Sequence, residues 1–393
     1  ADAVILAAGG HTRIWRRSSS RRDENTGDGV YLALQAGCEV ADMELVQFHP
    51  TGMVAPEEMA GTLVTEAVRG EGGRLINNNG ERYMDRYDPE RMELSTRDQV
   101  ALANYTEILE GRGGPNGGVF LDISHRSKEH ILEKLPRMYR QFMETQMLDI
   151  SREPMEVAPT AHYSMGGVVV DPETHATSLE GLYAVGEVTG GLHGANRLGG
   201  NSLAELLVFG RRAGEASVAH SEALQAQLRA KQPIRAAHEE LDSLTREGDE
   251  LARPLQRAIR NIMWEHCGVV RNERRLQKGL EQLVELNKAA ASVDVRPSAE
   301  GYKDLALALD LRGSLVAAEA TFRSAIERRE SRGAHQRDDY PESSPDLKVN
   351  FVVKLDESGN QSVYSVPVLP VPDDLRAWVE DHGELEVEGR LLE

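Results

Sequence analysis

The stretch Leu182 to Gly210, LYAVGEVTGGLHGANRLGGNSLAELLVFG, limits most sharply what this chain can fold into. The apolar run Leu182 to Val185 reads as a buried strand. A glycine-rich turn follows, and the apolar run from Leu203 reads as a helix. Strand, loop and helix start together make an anion or cofactor site, because the first N–H groups of a helix have no partner within it. Gly190, Gly191, Gly194, Gly199 and Gly200 leave the backbone bare for a ligand. Asn201 and Ser202 stand where an N-cap would stand. Inside this cradle sits one strong cation, Arg197, whose planar fork suits a carboxylate or phosphate. The plainer alternative is a Gly-rich turn carrying a solvated Arg.

Composition removes several function classes. A formal net charge of −19 argues against nucleic acid and against docking on anionic lipid. Cys38 and Cys267 lie far apart, outside any CxxC or zinc spacing, so neither a disulfide framework nor a Cys-ligated metal is expected. No apolar run approaches the roughly 20 residues that span a bilayer. The opening ADAVILAAGG starts inside a buried-strand pattern, and a further segment upstream of Ala1 is expected.

The chain reads as α/β. Residues 1–48 are expected to form part of a Rossmann-like cofactor-binding domain, with a strand from Ala3 to Ala8, the turn Gly9-Gly10, an exposed polar loop at 16–25 and a helix from Val30 to Ala36. Asp28 is either the N-cap of that helix or a cofactor contact. Residues 49–160 form a mixed α+β capping domain inserted into the cofactor domain, which resumes at 161–215. Residues 216–338 read as helical, with Leu315, Ala318, Phe322 and Ile326 on one face, breaks at Pro254 and Pro297, and His and Arg residues on a solvated outer side. Residues 339–393 form a small β-containing tail, where Lys348 to Leu355 and Gln361 to Val368 flank a turn at 357–360 as a hairpin.

Four further segments carry residues suited to chemistry. QFHPTG places His49 before a proline, which holds the backbone extended. LVTEAVRGEGG puts Glu66 and Arg69 three apart, on one helical face. STRD opens a helix at Arg97. PTAHYSMGG sets His162 beside a Gly-Gly turn. Taken singly, each has an ordinary structural reading: a satisfied core histidine, or a surface ion pair.

Taken together and in this order, QFHPTG, LVTEAVRGEGG, STRD, LDISH, PTAHYSMGG, LYAVGEVTGGLHGANRLGGNSL and ESRGAHQRDDYPE make the chain resemble the flavoprotein subunit of succinate dehydrogenase and fumarate reductase, from residue 1 to about 350. L-aspartate oxidase, a close relative, shares several of these motifs. The resemblance implies an FAD enzyme that dehydrogenates a dicarboxylate by hydride transfer to flavin N5. It implies that Arg197 and His162 hold one carboxylate while His49 and Thr65 hold the other, fixing the central C–C bond over the flavin. It implies that Arg97 moves the proton, with Glu66 and Arg69 relaying to solvent. A guanidinium is in general a poor base, and the role suits proton donation to fumarate better than abstraction. For FAD it implies Gly9, Gly10, Asp28, Glu187, Asn201, Ser202 and Leu203, with Glu187 on ribityl or ribose hydroxyls and the Ser202 and Leu203 N–H groups on the pyrimidine edge, where a helix start favours the reduced anion.

The implied partners are succinate or fumarate, an iron–sulfur subunit receiving the electrons, and, indirectly, a membrane anchor and its quinone. The implied location is the cytoplasmic face of the cell membrane, or the matrix side in a mitochondrion. No metal site is expected. Two other readings are an L-aspartate oxidase and a non-catalytic remnant that serves only as a binding subunit. The family's N-terminal βαβ unit, with its G-x-G-x-x-G pyrophosphate loop, is missing from this sequence. The chain alone is therefore expected to bind FAD weakly. A flavin absorbance spectrum at saturating FAD tests this, and tight stoichiometric binding would overturn it.

Overall fold

The computed structural model describes residues 1–225, 231–296, 302–373 and 375–376. Strand Leu182–Ala184 pairs in parallel with Val4–Leu6, with Ile5 opposite Tyr183. Parallel neighbours require a long crossover, and here the chain makes two large excursions between them. The first includes helix Asp28–Gln35. The second builds an antiparallel sheet in the order Val46–Met53, Met155–Ser164, Val119–Asp122, Arg74–Ile76. Met53, Val68, Leu75, Tyr83 and Phe142 form the core of that excursion.

A separate core joins the strand–loop part to the helices that follow it. Trp15, Leu34 and Phe48 pack with Met263 and Phe322, and the Trp15 indole N–H donates to the Cys267 carbonyl at 2.8 Å. Helices Ala252–His266, Glu273–Ala290 and Lys303–Glu327 carry the second half. Asn272 caps the middle one, its side chain accepting from the Arg275 N–H at 3.0 Å. The long last helix buries Leu315, Ala318, Phe322 and Ile326, the face that the periodicity marks. Its Gly313 lets it lie on the start of helix Asp28–Gln35: a Cβ there would stand 3.0 Å from the Asp28 nitrogen. Pro254 falls in the first turn of its helix, where the missing N–H costs nothing; Pro297 lies outside the described residues.

The C-terminal hairpin forms between Val349–Leu355 and Gln361–Pro367, with Gly359 at φ +80° in the turn. It does not stand apart. Val352 and Val353 pair with Ala41 and Val40, and these pair in turn with Gly167 and Val168, giving one four-stranded sheet. Another long-range contact matters for the site. Gly333, at φ +54°, sits so close to Ala195 that a Cβ would collide with its carbonyl, and the Ala334 N–H donates to that carbonyl at 2.9 Å.

Several local expectations need correction. The helix after the glycine-rich loop begins at Asn201, not Leu203. Gly200, at φ +85°, takes the cap position and Asn201 and Ser202 lie in the first turn. Asp28 is likewise the first residue of its helix and not its N-cap, because Gly27 at φ +92° precedes it. The stretch 16–25 is exposed only in part. Ser18 is buried, bridged to Ala161. Nor do the basic residues after 215 all face solvent. Arg271 and Arg328 are buried, and Arg328 pairs with Asp42, Glu44 and Glu330 at 3.1, 2.5 and 3.0 Å. Sequence periodicity could not reveal this, since Asp42 and Glu44 lie 286 and 284 residues away. The same cluster pushes Asp42 up to about 7, chiefly through burial and then the Glu44 charge.

Removing Arg328 would strand these buried carboxylates. Arg328→Ala is expected to lower stability by about 3–5 kcal/mol, read as a shift in the urea unfolding midpoint at constant slope. A loss under about 1 kcal/mol would show that the cluster behaves as a solvated surface pair.

Candidate active site

Strands Val46–Met53 and Met155–Ser164 carry the site, and their pairing is irregular where it matters. Gln47 pairs with Tyr163 and Phe48 with Ala161, so His162 is an extra residue on a bulge. A second irregularity follows between His49 and Gly52, opposite Thr160 and Ala158. There Pro50 has no N–H to give. Bulges re-aim side chains, and here they bring the His49 and His162 rings to 5.4 Å between centroids, edge to face. Both rings are neutral. Burial, the opposing ring and the Arg97 charge hold His49 well below its usual 6.5. Burial and the Arg197 charge push His162 down to about 3.

Three guanidiniums converge beside them. Arg97, at the start of helix Arg97–Glu107, donates through Nη2 and Nε to Glu66 Oε2 at 2.7 and 3.1 Å. Arg69 donates to Glu66 Oε1 at 3.1 Å, the pairing that the three-residue spacing predicts. Burial disfavours the Glu66 charge, yet the bonds and charges of Arg97 and Arg69 outweigh it and hold its carboxyl below the usual 4.5. The fully buried Gln47 joins the other pair: its Oε1 accepts from Arg97 Nη1 and from Arg197 Nη2, each at 3.1 Å. Its amide NH2 donates to the Arg197 carbonyl at 2.7 Å and to Asn196 Oδ1 at 2.8 Å. Asn196 in turn donates to Asp98 at 2.7 Å. The Arg197 guanidinium also stacks 4.2 Å from the Tyr163 ring centroid, and the Tyr163 hydroxyl donates to the buried Glu205 at 2.7 Å.

The structure thus gathers His49, Glu66, Arg69, Arg97, His162 and Arg197 into one constellation. Thr65 follows Val64, whose N–H and carbonyl both bind Thr51 beside His49. Arg69 is buried whereas the Glu66 side chain is 43% exposed, so Glu66 is the member of the pair that reaches the surface. A second cluster adjoins through Ser164. Glu187 accepts from the Ser164 N–H at 3.0 Å and from the Asn25 amide at 3.1 and 3.2 Å, against bare Gly10. Asp28 is not part of either cluster; it accepts from the Thr26 hydroxyl at 2.6 Å and lies against Gly313.

The loop fits a flavin edge. No heavy atom stands within 4 Å of where a Cβ would project at Gly191, Gly194 or Gly200. Above them begins a 23-residue helix, whose first-turn N–H groups favour an anion. Asn201 and Leu203 are exposed there, while Ser202 accepts from Arg197 Nη1 at 3.2 Å. Buried Arg197 Nε has no hydrogen-bond partner among the described residues.

The sequence matches the FAD binding domain family over residues 1–203 and the fumarate reductase flavoprotein C-terminal family over residues 256–368. The chain belongs to the flavoprotein-subunit family of succinate dehydrogenases and fumarate reductases. It is 47% identical over 353 residues to a fumarate reductase (CoM/CoB) subunit from Methanothermobacter marburgensis, covering 90% of this chain and 64% of that protein. It is 39% identical over 366 residues to L-aspartate oxidase of Acinetobacter baylyi, covering 90% and 63%. A quinol–fumarate reductase solved with menaquinol molecules superposes with a TM-score of 0.87 at 35% identity, covering 94% of this chain and 67% of that one. The chain therefore spans less than two thirds of the length of the two curated relatives. As in this family, FAD is the cofactor. Among the described residues no helix is long and apolar enough to cross a membrane, and no cluster of acidic, His or Cys side chains could hold a metal ion.

Sequence reading left Gln47, Ser19, Tyr163 and Asn196 without a role in this flavoprotein site. Gln47 carried a usable signal: two residues before His49 on a strand, it shares that residue's face. Ser19 carried none, being one of three consecutive serines.

An imidazole with the ordinary value of 6.5 would strengthen anion binding as pH falls through it. Both rings titrate far below that. The affinity for an added dicarboxylate probe is expected to change by less than about twofold between pH 8 and 6.5, measured by calorimetry. A several-fold rise toward pH 6.5 would show that one ring charges in this range.

Proposed function

We propose that this chain is the catalytic part of an FAD-dependent oxidoreductase that interconverts succinate and fumarate. The observation that carries the proposal is the joint hold of Gln47 Oε1 on Arg97 and Arg197, which presents two cations side by side next to two neutral imidazoles. A four-carbon diacid has the matching chemistry: one anion at each end and a reactive C–C bond between. Arg197 and His162 would hold one carboxylate, and His49 with Thr65 the other. Anchoring both ends fixes the central carbons and supplies several kcal/mol of the barrier.

FAD, bound through Gly9, Gly10, Glu187, Asn201, Ser202 and Leu203, would supply hydride acceptance and donation at flavin N5. Arg97 would give the proton to the substrate carbon in the reductive direction. Glu66, which pairs with two guanidiniums and is partly exposed, would return a proton from solvent to Arg97. Arg69, buried on the Glu93 carbonyl and on Glu66, would steady that carboxylate and complete the relay. Electrons would pass to an iron–sulfur protein and then to a quinone in a membrane-anchored assembly, with this chain peripheral on the cytoplasmic or matrix face.

A second reading, L-aspartate oxidase, is favoured by the 39% identity to the Acinetobacter protein. Turnover of succinate with an artificial electron acceptor, against aspartate with oxygen, each with added FAD, separates the two. Under the first reading Arg97→Ala should lower kcat by at least about a thousandfold, in line with loss of proton transfer and of a positioned cation, while succinate affinity changes by only a few-fold. Undiminished turnover would remove Arg97 from the chemistry.

A further inference from the structure

We propose that Ser19 is a positioning residue: its hydroxyl donates to His162 Nδ1 and so fixes the ring as the tautomer that offers Nε2–H to a ligand carboxylate. The ligand's identity rests on the dicarboxylate reading above; the tautomer assignment does not.

A neutral imidazole has one donor and one acceptor nitrogen, and the partner of one decides the role of the other. Ser19 Oγ lies 2.8 Å from His162 Nδ1. Among the described residues this is the only hydrogen bond of either group, and His162 Nε2 has no partner. A proton on Nδ1 would turn the Nε2 lone pair toward an incoming carboxylate, setting acceptor against acceptor. A serine hydroxyl can donate to Nδ1 or accept from an Nδ1–H, and it is donation, the direction proposed here, that removes that arrangement.

The backbone holds Ser19 in place. The Ala161 N–H donates to the Arg17 carbonyl at 3.0 Å and the Ser19 N–H to the Ala161 carbonyl at 2.9 Å. The segment Arg17 to Ser19 is thus laid along the strand beside the bulge that presents His162. His49 provides the internal comparison. Its Nδ1 faces the backbone N–H of Thr51 at 3.2 Å, a group that can only donate, and the Thr51 hydroxyl itself donates to the Val64 carbonyl at 2.8 Å. His49 is therefore an Nε2–H donor by virtue of the backbone. His162 reaches the same state through one side chain, so here the tautomer can be altered by mutation.

Two-bond 1H–15N correlation spectra of the 15N-histidine-labelled chain read which nitrogen bears the proton, with His162→Gln assigning the resonance. The wild-type chain and Ser19→Thr are expected to show His162 protonated on Nε2. Ser19→Ala should shift the ring toward Nδ1–H and weaken succinate binding about tenfold, the scale of one hydrogen bond to a charged ligand; Ser19→Thr should stay within about twofold. A wild-type ring protonated on Nδ1, or an unchanged tautomer in Ser19→Ala, overturns the proposal. An Nε2–H ring in a wild-type chain that binds no dicarboxylate supports the assignment and overturns the functional reading instead.

Discussion

Two guanidinium groups repel, and a fold that wants both at one ligand must place something neutral or negative between them. In this chain the something is the amide of Gln47. One oxygen accepts from Arg97 and Arg197 at equal distances, while the NH2 end grips the backbone of Arg197 and the side chain of Asn196. A carboxylate in its place would neutralise the pair and compete with the ligand for the cations. An amide orders them without adding a second negative charge to the Glu66 carboxylate that already pairs with Arg97. Everything else in the site is arranged around that pair: Glu66 takes the far side of Arg97, and the Tyr163 ring backs Arg197.

The strand that carries Gln47 also explains why the site lies between two structural units. Val46–Met53 is an edge strand of the inserted sheet, yet Phe48 on the same strand packs into the core shared with Trp15 and the helices. The two bulges let one strand serve both. They turn the His49 and His162 rings toward each other while the intervening residues keep their pairing or their packing. A regular ladder would have left His162 opposite a partner residue, with its ring on whichever face the alternation dictated.

Much of this was legible in the sequence where the cause is local. The strand–glycine–helix run, the C-terminal hairpin, the long helix with Leu315, Ala318, Phe322 and Ile326 inward, and the Glu66–Arg69 pair all follow from spacing. The motif set also carried the family. What stayed hidden depends on distant partners. Nothing around Arg328 announces that Asp42 and Glu44 will bury it, and periodicity places it on a solvated face. Ser19 sits in an evidently polar run, and only its pairing with Ala161 brings it to His162. The helix starts two residues before its apolar run because Gly200, with its left-handed φ, ends the loop in place of an Asn or Ser cap.

The apposition of Gly333 and Ala195 has a temporal consequence. The loop that bears Arg197 rests on a turn made nearly 140 residues later in the chain. During synthesis the ribosome will have finished the glycine-rich loop and its helix long before that support emerges. The glycine-rich loop is therefore among the last features to gain its support as the chain leaves the exit tunnel, and in a nascent protein interrupted before residue 333 it would still be unbraced.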